Sequence, residues 1–195
     1  MNRRPALTAA TLAALALAAA NLAGCYAQGT YTDGRSPIKS SDPNKGSFDD
    51  LVVETMTWAG VRYGFFPPDD SVTGTVPFAL SLPGRVSRET WLDICDRIGP
   101  ECFPVSPETR DLPYFHIAEV RARGGRAEVD LYRPVVQVGG VAVDEPVHQL
   151  VTVTLEGGVQ EWRVERHRSW SLEPIPSPVV NEIPLPPPPP AEPTS

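Results

Sequence analysis

Three glycine pairs, Gly124-Gly125, Gly139-Gly140 and Gly157-Gly158, divide the later part of this chain into stretches of alternating apolar and polar residues. Glycine supplies the positive φ angles of two-residue turns at no steric cost, so each pair marks a β-hairpin. In HIAEVRARGGRAEVDLY, Ala118, Val120 and Ala122 fall on one face, and beyond the turn Ala127, Val129 and Leu131 do the same. The pattern returns in VVQVGGVAV and in HQLVTVTLEGGVQEWRVERHRSW, whose last strand alternates Trp162 and Val164 with Arg163 and Glu165. One face of these strands is built to pack and the other to meet water. A curled antiparallel sheet, a meander of hairpins, follows from this pattern.

Such a sheet needs something apolar against its packing face, and two upstream segments have helical spacing. Ser47 and Asp50 form a capping-box pattern before FDDLVVETMTWAG, with Phe48, Leu51, Val52, Thr55 and Trp58 on one face. Ser87 is placed to cap RETWLDICDRI, where Trp91, Ile94, Cys95 and Ile98 share a face and Gly99-Pro100 ends the helix. Between them, residues 72–82 read as an extended edge strand interrupted by Gly74 and Pro77. The expected fold class is therefore α+β, with the antiparallel sheet packed against two helices in one domain, residues 47–173. The order of helix, edge strand, helix and closing meander resembles the NTF2-like, or cystatin-like, fold. That resemblance implies a conical sheet whose mouth holds a small molecule in some members and is purely structural in others.

Both flanks are different in kind. Residues 25–46 are rich in Gly, Ser, Asp, Thr and Pro and read as a flexible tether, spanning on the order of 25 Å as a random coil. Residues 174–195 carry the proline run Pro186 to Pro190 and read as a disordered, proline-rich spacer with a polyproline II bias. The same run is also of the kind that aromatic grooves bind.

The N-terminus reads as an address. Arg3 and Arg4 precede an uncharged stretch from Pro5 to Gly24 dominated by alanine and leucine, the layout of a signal peptide occupying residues 1–24. Leu22, Ala23, Gly24 and Cys25 resemble the lipobox of bacterial lipoproteins. The resemblance implies cleavage before Cys25 and a diacylglycerol on its sulfur, and in many bacteria the freed amine is acylated too. Two or more acyl chains hold a protein stably on a bilayer. Ordinary secretion, with cleavage after Ala20 at an A-x-A site, is the alternative. Tyr26 stands where enteric lipoproteins retained at the inner membrane have aspartate, so the resemblance points to the outer membrane where the cell has one.

Composition narrows the partners. The formal charge is −7, and removal of the leader takes away two arginines, leaving a still more acidic chain with no surplus to neutralise phosphates. Nucleic acid is therefore not an expected partner. Cys95 and Cys102 lie in CDRIGPEC, and export would place them where nearby cysteines pair. A bridge across so short a loop would contribute roughly 2.5 kcal/mol.

Motifs for chemistry are sparse. His116, His148 and His167 sit on different strands without metal-ligand spacing, and neither a phosphate-cradling loop nor a G-x-S-x-G elbow occurs. No cofactor is expected. Alternation places Asp130 and Glu128 on the face opposite Val129 and Leu131, away from a concave pocket. The cluster Arg163 to Arg168 mixes arginine and glutamate, the pattern of a solvated face, and it is also suited to an anionic headgroup or polysaccharide. The first expectation is a non-enzymatic, lipid-anchored accessory of the cell envelope that contacts a protein or polymer. The alternatives are a carrier whose apolar cone, lined by Trp58 or Trp91, holds a lipophilic ligand, and an enzyme of the NTF2-like cyclase or dehydratase kind.

Overall fold

The computed structural model describes residues 27–32, 45–67, 74–84, 86–138, 141–158, 160–171, 178 and 180–185. Cys25 and the rest of the leader lie outside them, as does the turn at Gly139-Gly140. Among the described residues seven strands and two helices follow in the order β1 (Ala27–Thr32), α1 (Lys45–Arg62), β2 (Phe78–Ser81), α2 (Arg88–Ile98), β3 (Cys102–Pro104), β4 (Tyr114–Gly124), β5 (Arg126–Val138), β6 (Val141–Glu156) and β7 (Arg163–Ser169). The strands form one open sheet in the order β3-β2-β4-β5-β6-β7, with β1 also paired to β4.

The meander β4 to β7 is antiparallel, as its turn residues predict, and Gly124 adopts φ 66° at the first turn. The sheet as a whole is mixed, which corrects the expectation of a purely antiparallel one. β2 runs parallel to both β3 and β4, because α2 carries the chain back across the sheet before β3 begins. Nor is β2 an edge: it lies between β3 and β4, all four of its residues are buried, and Pro77 sits just before it where no ladder bond is lost. The sheet does not close.

Both helices pack on one face. Along α1, Phe48, Leu51, Val52, Thr55, Met56 and Ala59 are buried, while Trp58 is only partly so. The helix starts at Lys45, one turn earlier than Ser47 suggests. Ser87 caps α2 by accepting a bond from the Thr90 N–H at 3.2 Å, and Gly99 ends it by donating to the Cys95 carbonyl. Against them lie Phe115, Ile117, Val120, Val129, Leu131, Val151, Val153 and Leu155 from the inner face of the sheet. A bulge between Ile117 and Glu119 brings Ile117 onto this face and leaves Ala118 half-buried.

Two segments read from the sequence as flanks have defined partners. Ala27–Thr32 runs as β1 along β4, from the pair Ala27 and Gly124 to the pair Thr32 and Glu119, and Tyr31 packs edge-on against Phe48 at 5.0 Å. Its Thr-Tyr-Thr run favours extended backbone, and β4 offers it an open side. Residues 181–185 run past the C-terminal ends of β2 and β3, where Arg88 of α2 donates to the Pro184 carbonyl and Ile183 packs against the core. Ile183 donates its N–H to the Val105 carbonyl at 2.9 Å, and the Asn181 N–H bonds the Ser81 hydroxyl at 3.0 Å. The Asn181 side-chain amide donates to the Leu82 carbonyl.

Candidate functional site

Because the helices cover only one side, the outer face of the sheet divides into a covered end and an open end. At the covered end Ser81 and His116 are both buried beneath Asn181, with the Ser81 Oγ 2.9 Å from His116 Nδ1. His148 is buried close by, its Nε2 reaching the Tyr114 carbonyl at 3.3 Å and its ring 4.3 Å from the Tyr114 ring. Burial pushes its pKa below the ordinary histidine value, against the opposing pull of the Tyr114 carbonyl, and His116 adds to the lowering. A neutral ring donating from Nε2 leaves Nδ1 as a buried acceptor, and no partner reaches it among the described residues. Two of the three histidines thus converge. His167 stays apart, its ring 4.9 Å from Trp58.

The open end is an assembled polar surface on β4 to β7. The Trp170 indole N–H donates to the Thr152 hydroxyl at 3.1 Å, and that hydroxyl donates to Asp130 Oδ1 at 2.7 Å. Asp130 Oδ2 accepts from Arg121 at 2.9 Å, and Arg121 also binds Glu119 and, at 3.2 Å, Glu128. Partial burial alone would pull the Arg121 guanidinium down, but its bonds to Asp130 and Glu119 outweigh this and hold it charged. Arg168 stacks on the Trp170 ring at 3.9 Å from its centre, and Arg166 reaches the Thr154 hydroxyl at 3.4 Å. All of these but Glu119 line an open groove of about 470 Å³.

This arrangement binds better than it transfers protons. Both oxygens of Asp130 are already engaged, which fixes it as an acceptor and removes it as a free base. The cationic contribution comes from Arg166 and Arg168, which form no salt bridge with the described residues, whereas Arg121 is surrounded by three carboxylates. The exposed aromatic edge comes from Trp170, 40% accessible. The alternation of HQLVTVTLE carries the signal for Thr152, since Val151 and Val153 face inward; nothing local marks Arg121 or Trp170 as its neighbours.

The other residues singled out by sequence lie elsewhere. Trp91 is 1% exposed in the core and donates its indole N–H to the Leu80 carbonyl at 3.0 Å, so it lines no open cone. Trp58 packs edge-on to Tyr63 at 5.9 Å and against His167. Cys95 and Cys102 are buried free thiols, side by side between α2 and β3. Their mutual hydrogen bond, reinforced by burial, pushes the Cys102 thiol far above its usual range, so it is not an activated nucleophile. Among the described residues no three His, Cys, Asp or Glu side chains are grouped to hold a metal, and no helix is long and apolar enough to cross a membrane. Comparison with protein-family models, curated proteins and solved structures finds no match to this chain.

Proposed function

We propose that this protein is a non-enzymatic, lipid-anchored module of the cell envelope, fixed through Cys25 and binding an envelope protein or polymer through the open end of its outer sheet face. The observation that carries the binding half of this reading is the linked set Arg121, Asp130, Thr152 and Trp170 beside Arg166 and Arg168, which form no salt bridge among the described residues, on the sheet face opposite the two described helices. Polar side chains held in fixed geometry on strands give recognition without reorganisation on binding. The helix-strand-helix order and the meander, with both helices on one face, favour an NTF2-like or cystatin-like ancestry for the domain. The alternative role as a carrier draws no support from Trp91, which the core absorbs.

A photo-crosslinking amino acid placed at Leu150, which lines the groove, or at Leu92, exposed on α2, tests the reading in intact cells. A discrete adduct from Leu150 that Leu92 does not give is the expected result. Equal, diffuse labelling from both positions would overturn it.

A further inference from the structure

The position of β1 bears on how the domain meets the membrane. Only Tyr26 separates Cys25 from Ala27, and two residues of chain span at most about 7 Å. Ala27 is paired with Gly124, the last residue of β4, so the acylated cysteine is confined to the end of the sheet that carries the β4–β5 turn. The β6–β7 connection lies at the same end, because the Gly157 N–H donates to the Gly125 carbonyl at 3.0 Å. From there β5 runs from Arg126 to Val138, about 40 Å at the rise of an extended strand, to its last pair with Val141.

We propose that β1 is a short, hydrogen-bonded leash that holds the Gly124-Gly125 and Gly157-Gly158 turns against the lipid headgroups, so that the β5–β6 hairpin points away from the bilayer. This rests on acylation of Cys25, the reading given above. Charge at this end is of both signs, with Arg123, Arg126 and Arg163 beside Glu156 and Glu165, and Arg126 is paired with Glu156 at 2.8 Å. The cause of the orientation is the length of the chain between anchor and strand. A coil of twenty residues in the same place would let the domain turn freely, whereas six residues paired along β4 make it a fixed mount. The groove at Trp170 then stands beside the membrane rather than buried in it, open to a partner in the aqueous layer.

The test uses the full chain, purified from cells after processing and reconstituted in phosphatidylcholine and phosphatidylglycerol vesicles. Intact mass first establishes acylation. A fluorophore is attached at Gln160→Cys, in the β6–β7 connection, or at Asp111→Cys, exposed in the loop before β4 at the opposite end, and is quenched by nitroxide-headgroup lipid. The expected result is several-fold stronger quenching at Gln160→Cys. A flexible insert of about twelve Gly and Ser residues between Tyr26 and Ala27 should bring the two positions to near-equal quenching. Equal quenching in the acylated protein without the insert overturns the leash alone, as does a difference that survives the insert. An unacylated mass overturns the lipoprotein reading and the leash with it.

Discussion

The two faces of this sheet come from the same strands yet differ in almost every physical respect. On the inner face Val129, Leu131, Val151, Val153 and Leu155 meet two helices and are closed to water. One residue along each strand, Glu128, Asp130, Thr152 and Thr154 face outward and build a hydrogen-bonded surface. The difference shows where the molecule has spare chemistry. A packed face loses stability with nearly any change, while a polar face of exposed partners can change its contacts at little cost to the fold.

The largest effects should therefore come from the inner face. Phe115 is fully buried among Phe65 at 4.9 Å and Phe78 at 5.3 Å, and Phe115→Ala should cost about 3–5 kcal/mol in urea unfolding. A loss below about 1 kcal/mol would show that this core is not packed as described.

Next in size is the cysteine pair at the edge of that core. A disulfide oxidant that accepts two electrons from the Cys95 and Cys102 thiols should close a bridge, raising stability by roughly 2.5 kcal/mol. Alkylation and mass analysis of the denatured protein before and after oxidation count the thiols. Two thiols still open after oxidation would mean that the helix end and β3 hold the sulfurs in a geometry that resists the bridge.

Thr55 sharpens the contrast from within. It is fully buried on α1 and its hydroxyl has no partner among the described residues, so Thr55→Val should stabilise by about 1 kcal/mol. A destabilised Thr55→Val variant would reveal a hydrogen bond to that hydroxyl.

The covered end of the outer face should respond to pH. His148 has a folded pKa below its free-chain value of 6.5, so as pH falls through that interval the unfolded chain binds a proton that the folded chain refuses. Stability is full above the free-chain value and declines with acid. Urea midpoints at pH 7.5 and 5 should separate more for the native chain than for His148→Gln, and equal separation would rule out His148 as the source.

The sequence made the inner face legible because its signals are local. The spacing of Leu51, Val52 and Thr55, the Ser87 cap, and the alternation around Gly124-Gly125 each lie within a dozen residues, and each appears in the fold. The outer face resisted reading because it is made by chain-distant partners. Nothing near Ser81 announces Asn181, a hundred residues away, and Trp170 finds Thr152 only once β6 and β7 pair. Strand β1 was hidden for the same reason: a Gly- and Thr-rich segment looks like coil until β4 offers it a partner. The parallel pairing of β2 depends on how α2 crosses the sheet, which no periodicity encodes.

The most direct test separates binding from folding on the outer face. Arg168→Ala removes an exposed side chain stacked on Trp170 and should change stability by no more than about 0.5 kcal/mol. In intact cells, the adduct formed from the crosslinker at Leu150 should fall several-fold in Arg168→Ala while the melting temperature stays put. An undiminished adduct in a folded Arg168→Ala protein would contradict the assignment of this face as the binding surface.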